Sequence, residues 1–138
     1  MKITPNLHMN GNAKEAIAFY RQVLDAEIFS LYCQSDANPA DFTARPGETD
    51  LVYHAEISIG GQRVMLTDDT APFPPKGHTL SLVVTFDTAA QVKQAYSAFA
   101  DGCQIVSPLQ KTSYSSCFVS LIDKFGVRWE LMTENTEH

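Results

Sequence analysis

The stretch VYHAEISIGGQRVMLTD, residues 52–68, decides the fold. Apolar and polar residues alternate on both sides of Gly60-Gly61, which is typical of two antiparallel strands joined by a two-residue turn. A turn of that length places Glu56 opposite Met65, and residues paired in this way share a face of the sheet. One face is then apolar and should pack on a helix: Ala55, Ile57, Ile59, Val64 and Leu66. The opposite face carries the other set: His54, Glu56, Ser58, Arg63, Met65 and Thr67.

The residues before this hairpin predict a strand, a helix and a second strand. Residues 2–9 and 27–34 read as strands, and between them apolar residues recur at helical spacing over 12–25. Asn12 followed three residues later by Glu15 predicts a capping box at the start of the helix. Residues 35–50 hold two prolines in a polar setting, which predicts a long loop.

The same order of elements recurs in the second half of the chain. The sequence predicts a helix at 88–100 and strands at 78–86, 103–110, 115–122 and 127–132. Gly61 leads into QRVML as Gly126 leads into VRWEL, so Met65 corresponds to Glu130. The chain is therefore predicted to be an α+β protein with two βαβββ units, about 1–69 and 78–133, and a linker at 70–77. Because neither unit covers its own sheet, both should pack as one domain, 1–138.

Composition excludes several classes of partner. The formal charge is −6 and no cluster of Lys or Arg is present, so we expect no nucleic acid partner. No apolar run reaches the length needed to cross a membrane, and residues 1–11 do not resemble a secretion signal. Cys33, Cys103 and Cys117 have no CxxC spacing, which favours buried thiols over a zinc site or a disulfide framework. We expect a cytoplasmic protein.

Short motifs along nearly the whole chain point to a known family. They are Gly11-Asn12 with Ala16 and Phe19-Tyr20, His54-Ala55 with Ile59-Gly60-Gly61, Met65-Leu66-Thr67-Asp68, and Asp123-Lys124-Phe125-Gly126 with Trp129. In this order they resemble the vicinal oxygen chelate superfamily of glyoxalases, bleomycin resistance proteins and ring-cleaving dioxygenases. The resemblance is to its PhnB-like branch, often labelled 3-demethylubiquinone-9 3-methyltransferase-like. It implies that the two units curl a mixed sheet into a cup, and that two chains form a homodimer.

Metal-dependent members of the superfamily place ligands on the first and last strands of each unit. Counting back from the two helix starts, the resemblance puts these positions at Pro5, Met65, Ser81 and Glu130. Only Glu130 is a good ligand for a divalent metal, so we expect no metal and no other cofactor. His8 lies three residues after Pro5 and should face the opposite side of its strand. A divalent metal bound with the help of Glu130 stays open as the alternative.

The polar face of the hairpin supplies the candidate site. Because Val127, Trp129 and Leu131 should take the core face, Glu130 should point into the cup. His54, Glu56 and Glu130 are therefore the candidate catalytic residues, suited to proton transfer or to binding a cationic or polyhydroxyl ligand. The predicted ligand-binding residues are Met9, His54, Glu56, Met65, Thr67, Ser81 and Glu130. Solvated ion pairs, Glu56 with Arg63 and Glu130 with Arg128, are the alternative reading, and Asp68 and Asp69 should cap the following loop or lie at the rim.

Two functions from different classes are consistent with this pattern. The first is a metal-free protein that binds a small molecule in a dimeric cup, as drug-sequestering resistance proteins do. The second is an enzyme of the glyoxalase, isomerase or dioxygenase type, using acid–base or metal-assisted chemistry at the candidate residues. The chain has no glycine-rich turn between a strand and a helix, so the methyltransferase label is interpreted as a family name and not as an activity. A purely structural or partner-binding role also stays open.

Overall fold

The computed structural model describes residues 1–70, 77 and 80–135. The chain divides into two compact units, Met1–Pro74 and Pro75–His138. The predicted linker, 70–77, lies outside the described residues except for Thr70 and Gly77, and so does the predicted strand start at His78. None of the helices in the described part of the chain is long and apolar enough to cross a membrane.

The first unit is a four-stranded mixed sheet with one helix. Its elements are β1 (Asn6–Met9), α1 (Ala13–Leu24), β2 (Glu27–Cys33), a short 3₁₀ turn (Gln34–Asp36), β3 (Val52–Ile59) and β4 (Gln62–Asp68). The strand order is β1-β4-β3-β2, with β1 parallel to β4 and the other neighbours antiparallel. Residues 37–51 form no further helix or strand, as predicted for the loop.

The predicted hairpin forms in the predicted register. Glu56 pairs with Met65 and Ile57 with Val64, and both turn glycines have positive φ, as a tight two-residue turn requires. The apolar face is buried: Ala55, Ile57 and Leu66 have no exposed surface. These side chains lie in the core together with the buried face of α1, which consists of Ala13, Ala16, Ile17 and Tyr20.

The second unit repeats this architecture. Its elements are β5 (Leu82–Phe86), α2 (Ala89–Phe99), β6 (Gln104–Gln110), β7 (Phe118–Ile122) and β8 (Arg128–Thr133), in the order β5-β8-β7-β6. Trp129 lies in the core, 5.5 Å from the ring of Phe99, and its indole N–H donates to Asp123 Oδ2 at 2.9 Å. The described residues thus contain two mixed four-stranded sheets and two helices, which confirms the α+β class and the repeated order of elements.

The start of α1 differs from the prediction. Asn12 precedes the helix, but its side chain makes no capping hydrogen bond, so the predicted box with Glu15 is wrong. The carboxylate of Asp68 takes this role: Oδ1 accepts from Ala13 N at 3.0 Å and Oδ2 accepts from Val52 N at 2.8 Å. Asp68 is 6% exposed. Its two hydrogen bonds stabilise the helix and the strand that come before it in the chain, and not the loop that follows.

Candidate functional site

The polar face of the first sheet brings together residues from three strands. Glu56 on β3 pairs with Met65 on β4, and the parallel strand β1 pairs Asn6 with Met65 and His8 with Thr67. Because paired residues share a face, this side of the sheet, called the first polar face below, carries the following residues: Asn6, His8, His54, Glu56, Ser58, Arg63, Met65 and Thr67.

A small charged cluster lies at the centre of the first polar face. Arg63 Nε donates to Glu56 Oε2 at 3.0 Å, and its Nη2 donates to Glu56 Oε1, so the guanidinium binds both carboxylate oxygens. His54 Nε2 lies 3.5 Å from Glu56 Oε1. The hydrogen bonds from Arg63 hold the pKa of Glu56 below its usual value; burial opposes this shift, and the contact with His54 adds to it. The three side chains are partly exposed, which leaves them accessible to a ligand.

The structure corrects the predicted orientation of His8. His8 pairs with Thr67, so it lies on the first polar face, and Asn6 takes the place beside Met65 that counting had given to Pro5. The counting failed because three residues separate β1 from α1, whereas two separate β5 from α2. The imidazole Nδ1 of His8 lies 2.8 Å from Asp69 Oδ1. A repeat alignment based on the strands instead of the helix starts would have found this face.

Of the predicted ligand-binding residues, Met9 lies on the opposite side of the sheet and Thr67 already forms a hydrogen bond. Met9 is 1% exposed and pairs with Asp68, which puts it on the apolar side of the sheet. Thr67 lies on the first polar face, but its hydroxyl donates to the backbone carbonyl of Tyr53. Of the predicted ligand-binding residues in this unit, His54, Glu56, Met65 and Thr67 share the first polar face.

The second sheet has a corresponding face around Glu130. Glu130 on β8 pairs with Ser120 on β7 and with Val83 on β5, while Ser81 precedes β5. The alternative reading named two ion pairs: the described residues contain the pair of Glu56 with Arg63, and Glu130 takes part in none of the ion pairs found there. This side of the sheet, called the second polar face below, is named for its polar centre, Glu130 and Ser120.

Ser120 is a polar residue of this face that was not predicted from the sequence. The residue is 2% exposed, and its buried hydroxyl has no hydrogen-bond partner among the described residues. A buried hydroxyl without a partner is uncommon in folded proteins and needs an explanation. The repeat could have revealed it, because Ser120 pairs with Glu130 as Glu56 pairs with Met65.

The predicted metal positions do not fit a divalent metal. In the first unit the first-strand and last-strand positions are Asn6 and Met65, which provide no carboxylate; in the second they are Val83 and Glu130, which provide one. The described residues contain no group of three His, Cys, Asp or Glu side chains that could hold an ion. Such a site normally needs three or four of these donors, with water completing the shell.

Comparison with known proteins agrees with the fold and the motifs. The sequence profile of the 3-demethylubiquinone-9 3-methyltransferase family matches residues 1–132. Protein YjdN of Escherichia coli is 27% identical over 136 residues, covering 94% of this chain and 92% of that protein. Protein PA1353 of Pseudomonas aeruginosa is 26% identical with a TM-score of 0.85, covering 97% and 98% of the two chains. The PhnB protein of Bacillus cereus is 31% identical with a TM-score of 0.79, covering 96% and 99%.

More distant structures share the fold alone. A glyoxylase/bleomycin resistance protein/dioxygenase domain from Frankia superposes with a TM-score of 0.67 at 11% identity, covering 98% of both chains. This likeness confirms the glyoxalase/bleomycin resistance fold that the motifs predicted.

Proposed function

The chain belongs to the 3-demethylubiquinone-9 3-methyltransferase family, the PhnB-like branch of the vicinal oxygen chelate superfamily, and from this premise we propose that it binds a small polar molecule. The binding needs no resident metal, and the protein acts as a cytoplasmic homodimer. The residues that carry it are His54, Glu56 and Arg63 on the first polar face, while Glu130 and Ser120 on the second polar face form a separate candidate site for the same kind of ligand.

The observation that carries the proposal is the arrangement around Glu56. The two hydrogen bonds from Arg63 fix the carboxylate, and His54 lies 3.5 Å from one of its oxygens. A fixed carboxylate, guanidinium and imidazole offer acceptors and donors at defined positions without an ordering cost at the moment of binding. A ligand with hydroxyl or amine groups matches such a surface.

The same arrangement favours binding over proton transfer. A general base works best when its pKa lies near the working pH. The hydrogen bonds from Arg63 shift the pKa of Glu56 in the opposite direction, so its carboxylate is a weak base at neutral pH. Glu56 is therefore better suited to binding a ligand than to acting as a general base.

The second polar face, in the second unit, is a candidate site by itself. Glu130 is partly buried and has no ion pair with a described residue, so its carboxylate is available as an acceptor. The Ser120 hydroxyl lacks a partner among the described residues and is a donor that a ligand can satisfy.

Two features support the homodimer and the compartment. Strand β2 lies at the edge of its sheet and exposes Phe29 (64%), Tyr32 (53%) and Ile28 (40%), which a second chain would cover. Cys33, Cys103 and Cys117 are free thiols, as is usual in a reducing compartment.

The proposal is tested with untagged protein. We expect a dimer by light scattering, less than a tenth of an equivalent of divalent metal by mass spectrometry, and stabilisation by members of a library of polar metabolites. E56Q should lose the stabilisation, and E15Q, on the exposed surface of α1, should keep it. A full equivalent of metal that E130Q removes, or ligands that stabilise every variant equally, would contradict the proposal.

A further inference from the structure

A cavity lies in the second unit, away from its polar face. Its volume is about 370 Å³, and it opens between the first turns of α2 and the connection from β6 to β7. It is lined by Ala89, Lys93, Leu109, Gln110, Lys111, Ser116 and Cys117, and the amide N–H₂ of Gln110 already donates to Ser107 Oγ at 2.8 Å.

The cavity lies on the helix side of the sheet. Ala89 and Lys93 are four residues apart on α2, so they lie one above the other on the same side of the helix. Cys117 immediately precedes β7 and alternates with the buried residues Val119 and Leu121, whereas Ser120 lies on the second polar face. The cavity is therefore separate from the residues of the proposed function.

Two cations line this cavity in a chain whose net charge is −6. Lys93 and Lys111 form no ion pair with any residue in the described ranges. The charge of Lys93 acts at the cavity wall: burial raises the pKa of the Cys117 thiol, and Lys93 works in the opposite direction. Ammonium groups that have no ion pair and stand at the wall of an open cavity attract an anion.

The remaining lining does not favour a simple inorganic anion. Ala89, Leu109 and the neutral thiol of Cys117 are apolar, and the stems of the two lysines add methylene groups. The hydroxyl of Ser116, which also lines the cavity, is already bonded to Thr133 Oγ1 at 2.7 Å. The volume lies in the range of small-molecule sites.

We propose that this cavity binds a small monocarboxylic acid with an apolar body, such as a short fatty acid. The carboxylate lies between Lys93 and Lys111, and the hydrocarbon part packs against Ala89, Leu109 and Cys117. The site is independent of the polar faces, so it does not depend on the function proposed above.

Three probes of equal length test the chemistry: octanoate, octanol and octylamine. In ¹H–¹⁵N spectra of the full chain, octanoate should cause saturable shifts within 89–93 and 109–117. Octanol should bind at least tenfold more weakly, and octylamine should not bind. The octanoate affinity should fall as salt rises, because the ammonium–carboxylate attraction is screened.

Variants separate charge from shape. K93Q/K111Q should weaken octanoate at least tenfold and leave octanol unchanged, while K14Q, on the exposed surface of α1, should change neither. A89F should fill the cavity and abolish both. Lys93 and Lys111 are exposed, so K93Q/K111Q should fold. If A89F fails to fold, the double variant alone decides the test. Unchanged octanoate affinity in K93Q/K111Q, or shifts confined to residues around Glu56 or Glu130, would overturn the proposal.

Discussion

Replacing Asp68 should destabilise the fold far more than replacing Asn12, although the sequence marks Asn12 as the helix cap. The buried carboxylate of Asp68 accepts from Ala13 N and from Val52 N, at 3.0 and 2.8 Å. A hydrogen bond to a charged group contributes about 1.5–3 kcal/mol, so D68A should lower the free energy of unfolding by about 3–6 kcal/mol. D68N keeps one acceptor and turns an amide N–H₂ toward the other donor, so it should cost about 2–3 kcal/mol.

The matched controls are the residues that precede the two helices. Asn12 Oδ1 is buried without a partner among the described residues, whereas Thr88 Oγ1 accepts from Gln91 N at 3.2 Å. N12A should therefore change stability by less than about 0.5 kcal/mol, and T88A should cost about 1 kcal/mol, the usual value for a lost cap. Urea unfolding followed by far-UV circular dichroism measures all four variants. If N12A costs as much as D68N, the assignment of Asp68 as the group that holds α1 is refuted.

Three further predictions concern other polar groups. R63Q should raise the pKa of Glu56 toward its ordinary value, because the hydrogen bonds from Arg63 are what lower it. The pair stabilises the fold at pH values above the ordinary pKa of Glu56, and this stabilisation is lost as pH falls through the lowered pKa. An NMR titration of the Glu56 carboxyl group that is the same in R63Q would contradict this. S120A should be neutral or stabilise by up to about 1 kcal/mol, because it removes a buried hydroxyl without a described partner, and urea unfolding that shows a larger loss would count against it. D123N should cost about 2–3 kcal/mol, since the carboxylate accepts from the indole N–H; urea unfolding that shows no loss of stability would argue otherwise.

The features that neighbouring residues determine could be predicted from the sequence. Gly60-Gly61 closes a two-residue turn, and a turn of fixed length leaves one register for the strands it joins, so the pairing of Glu56 with Met65 could be predicted. The inward position of Trp129 followed from the alternation along β8. The class of fold followed because the same order of elements occurs twice.

Long-range partners could not be predicted in this way. The acceptor at the start of α1 comes from 55 residues further along the chain, and no local pattern encodes it. The parallel pairing of β1 with β4 is set by packing of the whole unit, so counting from the helix misplaced His8 by one face. The unpartnered hydroxyl of Ser120 likewise depends on burial, which its own residue type does not predict.

In both units a side chain at the end of the fourth strand accepts a hydrogen bond from a buried backbone N–H, but the residue type differs, and so do the polar faces. At the end of β4, Asp68 accepts from the backbone N–H at the start of β3; at the corresponding end of β8, the hydroxyl of Thr133 accepts from Ser116 N at 3.0 Å, just before β7. Both satisfy a buried donor that the fold itself creates, so either residue type serves. On the polar faces the matched pairs are Glu56 with Met65 and Ser120 with Glu130. Each face therefore has one central carboxylate, on the third strand of its unit in the first and on the fourth in the second. One carboxylate at the centre of each face is fewer than the three or four donors that a divalent metal normally needs.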